Sequence, residues 1–328
     1  MSAVMERQSA WSTFWAEGPL HSLPGSLDDD LNGPVATFWA ALFSRLTSDD
    51  HLLDIGTGNG ALPRLALSST GMQCPRIDAI DLSAIQPTWH NPDLHDSHRR
   101  IRFHAGIACE ALPFADGTFS AVVSQFALEY SALDRAIPEL LRVMKPKAHV
   151  ALLMHHRASR LSQVAADEMI QLDALLQPNG FLLDAAQVLP WFEQIARGQG
   201  ARVQSTPAAT EARNHFNDSA RQLLALQDGH PGGGSIGNTL ALAAELIQRT
   251  GKGEITANDA QCRIEAHRQQ LVRALLRNRE LRDCALSENQ AAELAQAFGE
   301  AGFMSPVPQP LWHGPHLLGW QLATHRPS

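Results

Sequence analysis

The sequence predicts an α/β fold built on a doubly wound, mostly parallel sheet, with a reversed C-terminal strand pair and an α-helical insertion between the fifth strand and the terminal hairpin. Three observations predict it. Between residues 50 and 154, short apolar runs alternate with helical stretches, the pattern of a parallel sheet. A glycine-rich run follows the first apolar segment and opens a helix, where doubly wound folds place their ligands. After Met154 helical periodicity takes over as far as residue 301, and two strand-like segments then close the chain.

Taken in order, Trp11, Phe14 and Trp15 stand at helical spacing, and Phe38, Trp39, Leu42 and Phe43 mark the apolar face of a second helix over 35–46. The Gly-, Pro- and Asp-rich stretch 18–34 between them reads as a loop. Strands over 52–55, 76–81, 101–105, 121–124 and 149–154 follow, with helices over 61–68 and 134–144, the latter stopped by Lys145-Pro146. Helices are then expected over 159–176, 184–196, 209–226, 237–249, 258–283 and 288–301, broken at Pro178-Asn179-Gly180 and at Gly232-Gly233-Gly234. The closing strands, 307–312 and 317–324, are joined by a turn at His313-Gly314-Pro315-His316. Pro306, Pro308 and Pro310 confine the first to a sheet edge, while alternation of Leu318, Trp320 and Leu322 marks the last as more buried. Four segments result: a helical cap or lid (1–47), a ligand-binding core (48–156), the helical insertion (157–303) and the terminal hairpin (304–328).

Composition narrows the function classes. With 328 residues the chain can bury a sizeable core. A net charge of −8 opposes binding to a nucleic-acid polyanion. The four cysteines, Cys74, Cys109, Cys262 and Cys284, lie far apart with no C-x-x-C pair, so free thiols in a reducing cytosol are expected rather than disulfides or a cysteine zinc site. No run approaches the ~20 apolar residues of a membrane span. The first fifteen residues lack the basic start and apolar stretch of a signal peptide, so a cytoplasmic location is expected.

The glycine run reads Leu53-Asp54-Ile55-Gly56-Thr57-Gly58-Asn59-Gly60. Its spacing differs from the dinucleotide fingerprint, and Asp54 precedes the first glycine by two residues. A carboxylate there is awkward beside a pyrophosphate and useful beside a cationic amine, while backbone N–H groups at a helix start suit a carboxylate. A ligand carrying both an α-amino and an α-carboxyl group matches, and the methionine part of S-adenosylmethionine is one. The second strand ends Ile80-Asp81-Leu82, placing an acid where ribose hydroxyls are held and an apolar side chain to pack on a base. Farther on, Glu110-Ala111-Leu112-Pro113-Phe114 precedes the strand over 121–124, and Leu140-Leu141-Arg142-Val143-Met144-Lys145-Pro146 precedes the next.

In these ordered motifs the sequence resembles the class I S-adenosylmethionine-dependent methyltransferases of the small-molecule branch, which carry D-x-G-x-G-x-G, a later acid, E-x-L-P-F and a helix ending L-x-P-G. The resemblance covers residues 50–154 and the terminal hairpin. It implies a Rossmann-like sheet and S-adenosylmethionine as cofactor. The loop containing Gly56, Thr57, Gly58 and Asn59 would hold the methionine with Asp54, Asp81 the ribose and Leu82 the adenine, with Ser124 and Gln125 on the methionine side. Two features depart from the pattern. Ala108 stands where many relatives carry an acid for the adenine amino group, with Cys109 beside it, which leaves the base to backbone groups or to Glu110. Lys147-Ala148 replaces the usual Gly-Gly after Pro146.

Methyl transfer to oxygen or nitrogen releases a proton, which invites a general base near neutral pH. His155 and His156 follow the fifth strand, at the end where ligands sit, and suit that role. Glu129 and Tyr130 follow the fourth strand and could orient the acceptor. His21 lies in the loop before the core. His90, His95 and His98 cluster in a polar, turn-rich stretch, and no metal site is expected there. Met169, Trp191, Phe192 and Phe216 in the insertion favour a hydrophobic or aromatic small molecule. From Cys262 to Arg282 six arginines face two glutamates, a solvated helix face that could also dock an acidic peptide or support a homodimer. The expected activity is therefore methyl transfer to a small organic acceptor, at oxygen. The alternatives are a peptide or protein acceptor, or a non-catalytic cofactor-binding regulator.

Overall fold

In a computed structural model the described residues are 3–20, 22, 33–93, 96–232 and 234–327. His21, His95, Gly233 and most of the 18–34 loop lie outside them. Two compact units emerge: 1–162 with 280–328, and 163–279.

The first unit holds the sheet. In chain order come α1 (Ala3–Ala16), α2 (Pro34–Phe43), β1 (His51–Ile55), α3 (Ala61–Thr70), β2 (Arg76–Asp81), β3 (Ile101–Ala105), β4 (Phe119–Gln125), α4 (Leu133–Val143) and β5 (Met144–His155). After the second unit follow α11 (Glu288–Glu300), β6 (Gln309–His313) and β7 (His316–His325). Strand order is β3-β2-β1-β4-β5-β7-β6. β1 to β5 are mutually parallel, and the terminal pair reverses the direction at β7, which is antiparallel to both its neighbours. The order turns at β1, where chain crossovers leave in opposite directions along the sheet, so the carboxyl ends of β1 and β4 flank a natural crevice. β6 lies at the edge, where the missing N–H of Pro310 costs little.

Both faces of the sheet are covered, and the two-residue period of the strands assigns side chains to each. Leu53, Ile55 and Val122 join one apolar cluster with Leu140 of α4 and Phe298 of α11, while Leu52, Ala121 and Val123 join the other with Trp39 and Phe43 of α2. α2 begins with Pro34 at its first position, where no N–H is needed. α11 begins with a capping box, in which Ser287 and Gln290 satisfy each other's backbone donors.

One boundary differs from expectation. α4 ends at Val143, beside the expected Lys145-Pro146 stop, but β5 already starts at Met144 rather than at 149. Phe119 pairs with Met144 and Ala121 with His149, so Pro146 falls in an irregular stretch of the ladder. A proline is tolerated there because no ladder bond is lost.

The second unit is helical: most of α5 (Arg160–Leu175), then α6 (Phe181–Ala196), the short α7 (Gly200–Gln204), α8 (Pro207–Gly229), α9 (Ser235–Gly251) and most of α10 (Ala257–Cys284). It has its own core, with Leu172, Phe181, Leu189, Ile236, Leu246 and Leu271 buried together. Of the apolar residues flagged in the insertion, Met169 and Phe216 pack against this core, while Trp191 and Phe192 are half-buried.

Phe298 is fully buried between the sheet and Phe303, with ring centroids 5.4 Å apart. Phe298→Ala is predicted to cost about 3–5 kcal/mol of stability, read as a lower denaturant midpoint by tryptophan fluorescence. A loss below about 1 kcal/mol would contradict the packing described.

Candidate active site

The chain leaves β1 at Ile55 and turns through three glycines with positive φ, Gly56 (+65°), Gly58 (+52°) and Gly60 (+86°), before α3 begins. At the first two, close approach matters as much as φ. A Cβ on Gly56 would stand 2.1 Å from the Cβ of Ala127, and one on Gly58 would stand 2.5 Å from the Trp15 ring. The loop is thus held between the segment after β4 and the end of α1. Two backbone donors fix it further: Thr57 N–H donates to the Ile80 carbonyl (2.9 Å), and Gly58 N–H to Oδ2 of Asp81 (2.9 Å).

Beside this loop lies a cavity of about 410 Å3 at the carboxyl ends of β1, β2 and β4. Asp54 forms part of its lining and is 1% exposed, yet neither carboxylate oxygen has a hydrogen-bond partner, and nor does Oγ1 of Thr57. Native proteins rarely leave buried polar atoms unpaired, and an ionised carboxylate in such a place is costly. Burial pushes the Asp54 carboxyl up to about 7, with the nearby Thr57 hydroxyl opposing the rise and the Asp81 carboxylate adding to it. What relieves this strain is a ligand donor, best of all a cationic N–H.

The structure brings most of the sequence-predicted cofactor residues to this cavity. Asp54, Gly56, Thr57, Asp81, Leu82, Cys109, Glu110 and Gln125 all line it, and so does Tyr130. Asp81 braces its surroundings, accepting from Gly58 N–H and from Ser83 N–H (2.8 Å), and burial raises its pKa. Glu110 accepts from Ala132 N–H (2.9 Å) and Gln125 Oε1 from the Trp39 indole (2.6 Å), so both are held by neighbouring segments. Burial pushes the Cys109 thiol up to about 11, which keeps it protonated.

Other candidates stand behind the wall. Asn59 is a clamp: its amide donates to the carbonyls of Trp15 (2.9 Å) and Pro19 (2.8 Å) and accepts from Gln86 N–H (2.9 Å). Ser124 donates to the Ile55 carbonyl (3.1 Å) and accepts from Leu128 N–H (3.0 Å), tying β1 to the turn after β4. His156 accepts from Ala158 N–H through Nδ1 (2.9 Å) and stacks on Trp320, which makes it a turn former. Glu129 and His155 are buried next to each other behind Phe126 and Tyr130.

Sequence reasoning missed part of the lining. Arg7 and Gln8 reach the cavity from α1, and Arg135 from α4. Arg7 donates to Glu280 at the end of α10 and to the Tyr130 carbonyl (2.9 Å), Gln8 donates to the Leu82 carbonyl (2.8 Å), and the Trp11 indole donates to Glu280 (3.3 Å). The aromatic spacing of α1 signalled a helix, but a partner 273 residues away leaves no local signal.

Residues 52–147 match the family model described as a methyltransferase domain. This segment is a methyltransferase domain. Among solved structures, the chain is similar to the YcgJ protein of Bacillus subtilis at 22% identity and a TM-score of 0.32, over 44% of this chain and 60% of that one. It is also similar to geranyl diphosphate C-methyltransferase from Streptomyces coelicolor (18%, TM-score 0.35, 46% of this chain and 65% of that one). A third is phosphoethanolamine N-methyltransferase 2 of Haemonchus contortus (22%, TM-score 0.33, 46% of this chain and 33% of that one). The chain thus spans less than two thirds of each of these three. No curated protein sequence matches it.

In the folded methyltransferase domain Asp54 keeps its proton up to about pH 7, against the ordinary value of 3.8, so between those values folding favours the protonated form and stability falls as pH rises. Cofactor-free Asp54→Asn is therefore predicted to match the wild type near pH 4 and to melt higher at pH 8, by on the order of 5 °C. Equal melting temperatures at pH 8 would contradict an unpaired carboxylate at this position.

Proposed function

We propose that the protein transfers the methyl group of S-adenosylmethionine to an oxygen of a small organic acceptor. The observation that carries this reading is the Asp54 carboxylate, buried, unpartnered and facing a cavity beside a loop into which no side chain fits at Gly56. When bound, the cofactor supplies an electrophilic methyl group on a sulfonium. Asp54 would accept from its ammonium group, the loop amides would hold its carboxylate, and Asp81 would take the ribose hydroxyls on the lone pairs that Gly58 and Ser83 leave open. Leu82 and Ile107 offer apolar surface to the base, with Ala108 adding no charge.

A cavity near the lower end of the ~300–1,000 Å3 typical of ligand sites suits a small-molecule ligand such as the cofactor. Arg135 on its lining disfavours a protonated amine and suits a neutral or developing anionic oxygen, whereas the Arg7 guanidinium is already paired with Glu280. The arginine stripe of α10 gives less support to an acidic peptide. Arg268 pairs with Glu265 (2.7 Å), Arg279 with Asp173 (3.1 Å) and Arg263 with Glu245 (3.6 Å), which neutralises much of its charge.

Titration calorimetry with S-adenosylmethionine and S-adenosylhomocysteine should show binding to the wild type and none to Gly56→Ala, whose circular dichroism should be unchanged. Loaded protein incubated with a metabolite extract should yield a small molecule heavier by one methyl group, with the methyl on oxygen by NMR. A wild type that binds neither compound would defeat the proposal.

A further inference from the structure

Two more polar atoms next to the cavity lack partners. Glu129 and His155 are each 4% exposed. Oε1 of Glu129 accepts from the backbone N–H of His155 (2.7 Å), but Oε2 of Glu129 and Nδ1 of His155 are both unpaired. One layer of side chains lies between His155 and the cavity. The Phe126 ring stacks on His155 at 4.5 Å, Tyr130 meets it edge-on at 5.9 Å, and both Phe126 and Tyr130 line the cavity. Phe126 is itself held at φ +53°, in the left-handed region that side chains with a Cβ avoid. Backbone strain of this kind gathers at functional sites, where the surrounding structure over-determines one residue.

We propose that Glu129 is the general base of the methyl transfer and that His155 holds the acceptor beside it, with the acceptor hydroxyl reaching both once the Phe126 ring turns aside. This rests on the function proposed above and adds to it the group that receives the proton. In the step, a lone pair of the acceptor oxygen forms the bond to the methyl carbon, the carbon–sulfur bond breaks onto sulfur, and the hydroxyl proton passes to Oε2 of Glu129. The acceptor class is then a small hydroxyl compound that donates to Glu129 while accepting from, or donating to, the neutral imidazole. Burial pushes Glu129 up to about 7 and His155 down to about 3, so near neutral pH the acid exchanges its proton readily and the histidine stays uncharged. The other ionisable groups that act on this pocket are Tyr130 and the Cys284 thiol, which burial raises, and the paired Arg7 and Glu280. None of them replaces Glu129 as a neutral-pH base.

The test follows the Glu129 carboxyl by NMR of protein labelled with carbon-13 glutamate, assigned by its loss in Glu129→Gln, or in Glu129→Asp should the first variant not fold. S-adenosylhomocysteine and S-adenosylmethionine differ by one methyl and one positive charge at sulfur. If Glu129 faces the place of transfer, its midpoint should lie near pH 7 with the neutral compound and about one pH unit lower with the cation, the size expected for opposite charges several ångströms apart. Midpoints equal within about 0.2 unit, with both compounds shown to bind by calorimetry, would overturn the proposal and leave Glu129 a buried structural acid. Failure of both compounds to bind would instead strike at the parent reading. Glu129→Gln keeps an acceptor for His155 N–H and should bind both compounds as the wild type does; weakened binding of both would count against a role confined to the acceptor.

Discussion

A carboxylate sealed at the carboxyl end of the central strand, with neither oxygen paired, sets the terms for the rest of this site. Strand β1 has neighbours on both sides and is buried on both faces, so the one open direction for Asp54 is the cavity at the strand's carboxyl end. The sheet thus holds an electrostatic deficit that the nearby Thr57 hydroxyl offsets only in part, and Asp81 deepens it. Apolar packing elsewhere has to outweigh that deficit for the domain to fold. A ligand that brings a positive donor to this point stabilises the fold by binding it, so occupancy and stability are coupled.

The groups around Asp54 serve that arrangement in different ways. The glycines let backbone approach where a Cβ would collide with Ala127 or Trp15, and Asp81 spends its oxygens fixing the loop as well as facing the cavity. Helix α1 covers one side through polar contacts: Arg7 and Trp11 to Glu280, Gln8 to the Leu82 carbonyl, and the Ser12 hydroxyl accepting from Ala84 N–H. Of its described side chains only Ala10 and Trp15 are buried. An element attached this way has a lower opening free energy than the sheet it covers.

Much of this was legible in the sequence because it is local. Short apolar runs between helical stretches placed the five parallel strands, the three prolines placed the first closing strand at an edge, and the glycines from Gly56 to Gly60 marked the loop beside the cavity. Residues whose role depends on distant partners were harder. Asn59 and Ser124 sit in the right motifs, but their side chains bind backbone from α1 and β1. Lys145-Pro146 marks the end of α4, but a one-dimensional pattern cannot show that β5 begins at Met144 and absorbs the proline in a ladder irregularity. Phe126 carries no signal at all, since its positive φ is imposed by the surrounding fold. Glu129 and His155 were legible as residue types near strand ends, whereas their shared hydrogen bond and unpaired atoms are properties of the fold alone.

Under the proposed function, Asp54 receives the ammonium group of the cofactor. Calorimetric affinities of S-adenosylhomocysteine and of its analogue lacking the α-amino group, each measured with the wild type and with Asp54→Asn, test it in one cycle. The account predicts that removing the amine costs the wild type about ten- to a hundredfold in affinity, as expected for a charge-assisted hydrogen bond, and costs the variant little. An equal loss in both proteins would contradict it.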